Sequence, residues 1–187
     1  PSWALFRGNQ RALGAFDASV AGFWRSFGVI VFLIPFYALV FVAERQLAFS
    51  STDADPIVYD PGLFLFWKSF AVAIDWIAFP IVMALLAGPL GIGSRYTTLI
   101  VARNWTSLLA ILPYAVICLF YTTGLLPATG LALLSLVALV IIFRFVYQVY
   151  SAALGGPASL IIGLVIMDFL LSILIDETFS RLSGLSV

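Results

Sequence analysis

The chain alternates long, almost uninterrupted apolar stretches with short segments rich in charged residues, glycine or proline. A helix needs about 20 predominantly apolar residues to cross the hydrocarbon core of a bilayer, and the stretches reach about 17 residues or more. Strands of a membrane barrel would instead alternate apolar and polar side chains at every second position, which these stretches do not. The pattern therefore predicts five transmembrane helices, near residues 27–43, 63–87, 106–123, 131–150 and 159–175.

The amino-terminal segment, residues 1–21, has a different pattern. Apolar side chains recur at helical spacing with two arginines beside them, namely Trp3, Phe6, Leu13 and Phe16 with Arg7 and Arg11. This pattern predicts an amphipathic helix that lies at the membrane surface, and a loose tail with a few aromatic residues is the alternative. Residues 22–187 are then a single transmembrane domain.

Composition supports lipid as the solvent for most of the surface. Hydrophobic residues make up 63% of the chain and charged residues 10%, against roughly 45–50% and about 25% in soluble domains. In lipid the backbone must satisfy its own hydrogen bonds, which helices do. We expect an all-α, polytopic transmembrane helical bundle.

Charge and residue usage exclude several classes of function. The formal net charge is zero, histidine is absent and Cys118 is the single cysteine. We therefore expect no nucleic-acid partner, no metal site and no cofactor. The motif GPLGIG at residues 88–93 follows a membrane helix rather than a strand, so it does not predict a dinucleotide site. No other motif indicates catalysis or a soluble substrate, and we expect that the protein is not an enzyme.

Basic residues predict the orientation. Arg7, Arg11 and Arg25 precede the first span, and Arg95 and Arg103 lie between the second and third, on the same side if five helices alternate. By the positive-inside rule the amino terminus is cytoplasmic and the carboxyl terminus outside. The acidic loop at residues 44–62 is then on the outer side. The chain has eight arginines and one lysine, a bias that is typical of GC-rich bacterial genomes. This bias favours a bacterial protein and hence the cytoplasmic membrane. Four spans with one re-entrant or interfacial stretch is the alternative topology.

Three charged residues fall at membrane depth, where an unpaired charge is costly. They are Asp75, Arg144 and Asp168. We expect Arg144 to pair with Asp168, or with Asp75 if the second helix packs alongside. The cluster either fixes the register of the helices or serves as a proton or ion relay, and the sequence favours the structural role.

Aromatic residues near the predicted interfaces indicate depth anchors. We assign this role to four tryptophans, Trp3, Trp24, Trp67 and Trp105, because indole rings favour the headgroup region. The expected partners are membrane lipids and other integral membrane subunits or further copies of the chain.

One segment resembles a known family. In GPLGIGSRYTTLIVARNWTSLLAILP, residues 88–113, a basic loop leads into an Asn-Trp pair that opens a proline-containing helix. Together with five spans and a short terminal tail, this is similar to uncharacterised bacterial members of the Yip1-like family of small membrane proteins. The resemblance implies a scaffold or membrane-organising role and brings no catalytic residues.

Two functions follow as expectations. The first is a non-catalytic accessory, assembly or scaffold subunit of a larger membrane complex, because little of the chain lies outside the predicted spans. The alternative is a small proton- or ion-coupled transporter that uses Asp75, Arg144 and Asp168.

Overall fold

The computed structural model describes residues 1–51 and 60–182, and within these ranges every regular element is helical. Two short helical segments, α1 (Ser2–Phe6) and a 3-10 turn (Gln10–Ala15), precede the bundle. The bundle itself is formed by α2 (Val20–Phe27), α3 (Ile30–Ser51), α4 (Pro61–Ala87), α5 (Tyr96–Ala110), α6 (Leu112–Thr122), α7 (Ala128–Leu154) and α8 (Ala158–Leu182).

Five helical segments are long and apolar enough to cross a membrane, which confirms the predicted fold class. They are Val20–Ser50, Pro61–Ala87, Gly93–Thr122, Ala128–Leu154 and Ala158–Leu182. Successive spans run in opposite directions, so the first span begins on the side where residues 87–93 and 154–158 lie. We call this the near side, and the opposite side, with residues 122–128, the far side.

The spans extend beyond their predicted limits because short charged segments continue the helices. The first span continues through Glu44 and Arg45, which we had placed in the polar loop, and its helix reaches Ser51. The third begins at Gly93 rather than near residue 106, so Arg103 lies inside the membrane-spanning segment. It divides at Ile111, two residues before Pro113, because proline has no N–H for the helical ladder. Residues 52–59 of the predicted loop and 183–187 of the tail lie outside the described part of the chain.

The amino-terminal segment is two short helical pieces rather than the single amphipathic helix that we predicted. Gly8 adopts a positive φ of 85°, which interrupts the helix. The side chain of Asn9 then accepts a hydrogen bond from the Arg11 amide and starts the 3-10 turn. Leu5 is 1% exposed, and Phe6 meets Phe145 of α7 edge to face at 5.2 Å. This segment therefore packs against the bundle as well as lying at its surface.

Helix α5 lies at the centre of the near-side packing. Leu99, Ile100 and Ala102 are all fully buried in the main apolar cluster. Asn104, also fully buried, donates a hydrogen bond from its Nδ2 to the Ser26 hydroxyl of α2 at 2.9 Å. That contact is the interhelical hydrogen bond that a polar group in a membrane helix requires, and it orients α5 so that Arg103 points toward a different set of helices.

A close contact on the near side ties α7 to the loop before α5. Arg95 donates a 2.8 Å hydrogen bond from Nη1 to the carbonyl of Leu154, at the end of α7. The next residue, Gly155, ends the helix in the left-handed conformation with φ of 57°. A Cβ at this position would lie 2.6 Å from Arg95 Nη1, so a larger residue would displace the arginine from this contact.

Labelling of single cysteines tests the topology. In a Cys118→Ser background, we expect Ser94→Cys and Leu125→Cys to react with an impermeant maleimide from opposite sides of sealed vesicles, because one belongs to the near side and the other to the far side. Wild-type Cys118 is fully buried and serves as the unreactive control. Labelling of both positions from one side would contradict five alternating spans.

Candidate functional site

An ion pair between α5 and α8 occupies the middle of the bundle. Arg103 donates from Nη2 to Asp168 Oδ1 at 2.9 Å and from Nε to Asp168 Oδ2 at 3.4 Å. Both side chains are 14% exposed. Tyr150 of α7, itself fully buried, donates its hydroxyl to the same Oδ2 at 2.5 Å. The Asp168 carboxylate thus receives three hydrogen bonds and joins three helices.

A second carboxyl group lies beside this pair on α4. Asp75 accepts a hydrogen bond at Oδ1 from the Ser172 hydroxyl of α8 at 2.6 Å. Among the described residues Asp75 forms no ion pair, although Arg103 is close enough to interact with it electrostatically. The central group of Asp75, Arg103 and Asp168 therefore holds two acidic side chains and one basic side chain.

Three further charges meet nearer the far side. Lys68 of α4 lies between two carboxylates, with Nζ 2.8 Å from Asp176 Oδ1 and 3.0 Å from Glu44 Oε2. The Lys68 side chain is 7% exposed, whereas those of Glu44 and Asp176 are 34% and 58% exposed. The cluster therefore joins α3, α4 and α8 and remains accessible through its acidic members.

The charged groups follow one another along the α4–α8 interface in separate hydrogen-bonded sets. On α8, Asp168, Ser172 and Asp176 follow at four-residue intervals and so share one face. On the antiparallel α4, Lys68 and Asp75 are seven residues apart and share the facing side. We call the whole set the polar ladder, and its members are Glu44, Lys68, Asp75, Arg103, Tyr150, Asp168, Ser172 and Asp176. Its three α8 positions cover about 12 Å of helix length.

Two cavities lie between the charged groups of the polar ladder. The inner cavity, of about 140 Å³, is bordered by Asp75, Arg103 and Asp168, and the outer cavity, of about 220 Å³, by Asp75, Ser172 and Asp176. Tyr37 of α3 borders both of them. Since a water molecule needs about 30 Å³ in the liquid, each cavity has room for several waters beside the carboxyl groups.

Apolar packing closes the array on the near side. Phe79, Met83 and Leu99 are fully buried there. The Phe79 ring stacks on Tyr150 at 5.7 Å, and the Arg103 guanidinium carbon lies 4.2 Å from the Phe79 ring centre. The guanidinium is therefore held by a carboxylate on one side and an aromatic face on another. Polar groups thus extend from the far side to the middle of the bundle and end at an apolar layer formed by Phe79, Met83 and Leu99.

Asp75 and Asp168 border the same cavity, but Arg144 does not lie with them. Arg144 is exposed on α7 and makes no hydrogen bond or ion pair within residues 1–51 and 60–182. The expected pairing of Arg144 with Asp168 was wrong, because Arg103 from α5 occupies that position. Arg103 was assigned to a connecting segment only because the third helix was predicted to begin too late.

Sequence reasoning also missed the far-side cluster. Glu44 was placed in the polar loop and Asp176 fell beyond the fifth predicted span, while Lys68, inside the second predicted span, was given no partner. The four-residue spacing of Asp168, Ser172 and Asp176 was the available signal, because it places all three on one face of a helix continued past residue 175. A charge is not by itself a helix end when an opposite charge lies on a neighbouring helix.

The four tryptophans predicted as interfacial anchors have different surroundings. Trp3 and Trp24 are 59% and 68% exposed near the amino terminus. Trp67 stacks on Phe179 at 5.8 Å near the far-side ends of α4 and α8. Trp105 is 38% exposed and lies well inside α5 rather than at its entrance. Its predicted position depended on the late start of the third span, and its role as an anchor stays a prediction.

The chemistry of the site is that of hydrogen-bond and proton exchange. The polar ladder contains carboxyl, phenol and hydroxyl groups, which can exchange hydrogen bonds with one another and with water. In the described part of the chain no three His, Cys, Asp or Glu side chains are grouped as a metal site would require.

Separating the central pair tests its energetic role. We expect Arg103→Met to lower the free energy of unfolding by about 3 kcal/mol, because it leaves a buried carboxylate without its counter-ion. The double variant Arg103→Met/Asp168→Asn removes that charge, keeps an acceptor for Tyr150 and should recover most of the loss. Denaturant unfolding in detergent micelles is the measurement.

The control is Arg181→Met, which breaks the exposed pair with Glu177. Its expected change in the free energy of unfolding is under about 1 kcal/mol. Equal stability of the single and double variants would contradict a charge effect.

Comparisons with known proteins add no family to this geometry. A scan against family models, a search of curated proteins and a search of solved structures each found no match. The resemblance of residues 88–113 to Yip1-like proteins stays a prediction, and function is argued from the polar ladder.

Proposed function

We propose that this protein is a small proton-coupled membrane transporter in which Asp75 binds and releases the transported proton. The observation that carries the proposal is the placement of Asp75, at the centre of the bundle, between two cavities and without an ion-pair partner in the described chain. A carboxyl group in such a position can be neutral with a proton or charged with a bound cation, and it can alternate between the two.

The neighbouring charges support this assignment because their roles differ. Asp168 is held by Arg103 and Tyr150, and Asp176 is held by Lys68. Each of these carboxylates lies within 3 Å of a basic side chain, at 2.9 Å from Arg103 and 2.8 Å from Lys68 respectively. Asp75 has only a hydroxyl donor, so at the centre of the bundle its charge is left to be balanced by a mobile ion.

An unpaired donor supports water in the inner cavity. Trp76 borders this cavity and is 6% exposed, and its indole Nε1 has no hydrogen-bond partner in the described structure. Buried donors are almost always satisfied, and in a polar cavity water is the usual partner. Water beside Asp75 would extend the hydrogen-bonded path toward Asp176 and the far side.

The asymmetry of the path fits alternating access. A cavity bordered by Ser172 lies between Asp75 and the exposed carboxylate of Asp176, whereas Phe79, Met83 and Leu99 pack on its near side. Transport then requires this apolar layer to open on the near side. At the same time the far-side cluster of Glu44, Lys68 and Asp176 would close the path to the far side.

Neutralising Asp75 tests the proposal. Purified protein in liposomes, with valinomycin and potassium to compensate charge, should dissipate an imposed pH gradient that an entrapped pH-sensitive dye reports. We expect Asp75→Asn to reduce this flux at least tenfold, because asparagine keeps the size and the Ser172 contact but cannot exchange a proton.

The matched control is Glu177→Gln, which removes a carboxylate of α8 that lies outside the polar ladder and pairs with Arg181. Its flux should equal that of the wild type. Both variants must elute as folded protein in size-exclusion chromatography. Flux that is the same with and without Asp75, or no flux in the wild type, would overturn the proton-transfer role.

The second candidate is the accessory or assembly role, and Arg144 favours it. Arg144 is exposed on a helix face with Val137, Val140 and Ile141, and lies about 15 Å along α7 from Leu154. In helices the side chain points back toward the amino-terminal end, here away from the nearer membrane surface. A partner helix with an aspartate or glutamate would satisfy the guanidinium. A symmetric contact with a second copy on this face would instead oppose two arginines.

Crosslinking in native membranes tests this second candidate. A photoreactive residue at Val140 should crosslink to a membrane protein with a carboxylate inside one of its spans, and Arg144→Leu should abolish that product. The same residue at Leu174, exposed on α8, is the control position. Crosslinks to lipid or to another copy alone, or a product unaffected by Arg144→Leu, would count against the assembly role.

A further inference from the structure

A groove on the outside of the bundle leads toward the central carboxyl group. It lies between α3, the junction of α5 and α6, and α7, and has a volume of about 510 Å³. Ligand sites for small organic molecules have volumes of about 300–1,000 Å³. Its walls are mostly apolar side chains such as Val40, Ile111 and Leu139, with hydroxyls from Tyr37, Ser107 and Tyr114.

The groove is adjacent to the inner cavity of the polar ladder. Tyr37, Ser107 and Ala110 border both spaces, and the inner cavity is also bordered by Asp75 and Arg103. A molecule whose apolar groups lie in the groove is therefore placed next to the cavity that holds the central charges. This juxtaposition couples a lipid-facing binding surface to the group that carries the proposed proton.

The sign of the central charge selects the ligand. With Asp75 ionised, the central group has two negative side chains and one positive one. An anionic ligand would be repelled by both carboxylates, and a neutral ligand would leave Asp75 uncompensated. A cationic ligand would balance the charge, and the aromatic side chains of Tyr37, Trp76 and Phe145 around the cavity favour a cation further.

We propose that the groove and Asp75 together form a binding site for a lipophilic organic cation, which exchanges with the proton on Asp75. The exchange is balanced: a monovalent cation binds to the ionised carboxylate as the carboxyl group releases one proton, and the reverse step restores both. This assignment rests on the proposed role of Asp75 in proton transfer and names the class of substrate that the same site takes. The groove opens on the lipid-facing surface, so the cation enters from the bilayer.

Two probes of matched shape and opposite charge test the site. We expect the purified full chain in detergent to bind tetraphenylphosphonium and to release about one proton per molecule bound in weakly buffered solution. Tetraphenylborate, of similar size and opposite charge, should bind at least tenfold more weakly. Because the proton and the cation compete for one carboxylate, phosphonium affinity should fall as the pH is lowered.

Two variants separate the charge from the groove. Asp75→Asn should weaken phosphonium binding at least tenfold and abolish proton release. Ser135→Trp fills the groove from α7 without touching the polar ladder and should also weaken binding at least tenfold. Leu133→Trp, on the same helix but not in the groove, is the control and should bind as the wild type does.

The outcomes distinguish this inference from the proton-transfer role. Equal binding of phosphonium and borate, phosphonium binding that persists in Asp75→Asn, or binding without proton release would each overturn the cation site. If these occur while proton flux into liposomes still depends on Asp75, the cation site is refuted and proton transfer is retained. Loss of both would refute the transporter as a whole.

Discussion

The ion pair between Arg103 and Asp168 sets the arrangement on which the rest of the bundle depends. In the apolar region of a membrane neither charge is stable alone, so α5 and α8 must place the two side chains in contact. Tyr150 then binds the same carboxylate from α7. Once Asp168 is fixed, the helical repeat places Ser172 beside Asp75 and Asp176 beside Lys68. One strong contact thereby determines the register of the α4–α8 interface.

The two halves of the bundle differ because polar and apolar side chains are separated along it. Toward the far side, Asp75, Ser172 and Asp176 border a cavity; toward the near side, Phe79, Met83 and Leu99 are fully buried in apolar packing. A bundle required only to fold would gain little from charges that need exact partners, since apolar residues of similar volume are often as stabilising. The separation is the physical basis for assigning transport to this site.

Arg103 and Arg144 show how one residue type takes two roles in the same membrane domain. Arg103 has a carboxylate and an aromatic face as neighbours, whereas Arg144 is exposed and has no partner in the described chain. The first charge belongs to the interior of this protein. The second has no counter-ion in the described chain, so the two proposals rest on different residues.

The amino-acid sequence by itself determined the fold class, five spans and the presence of Asp75 and Asp168 at membrane depth, because apolar length and the cost of a charge in lipid are local properties. It did not determine that Arg103 rather than Arg144 meets Asp168, nor that Glu44 and Asp176 continue their helices. Those outcomes depend on which faces of α3, α4, α5 and α8 come together. A charge ends a membrane helix or extends it according to whether a neighbouring helix supplies its counter-ion, and only the packed bundle decides that.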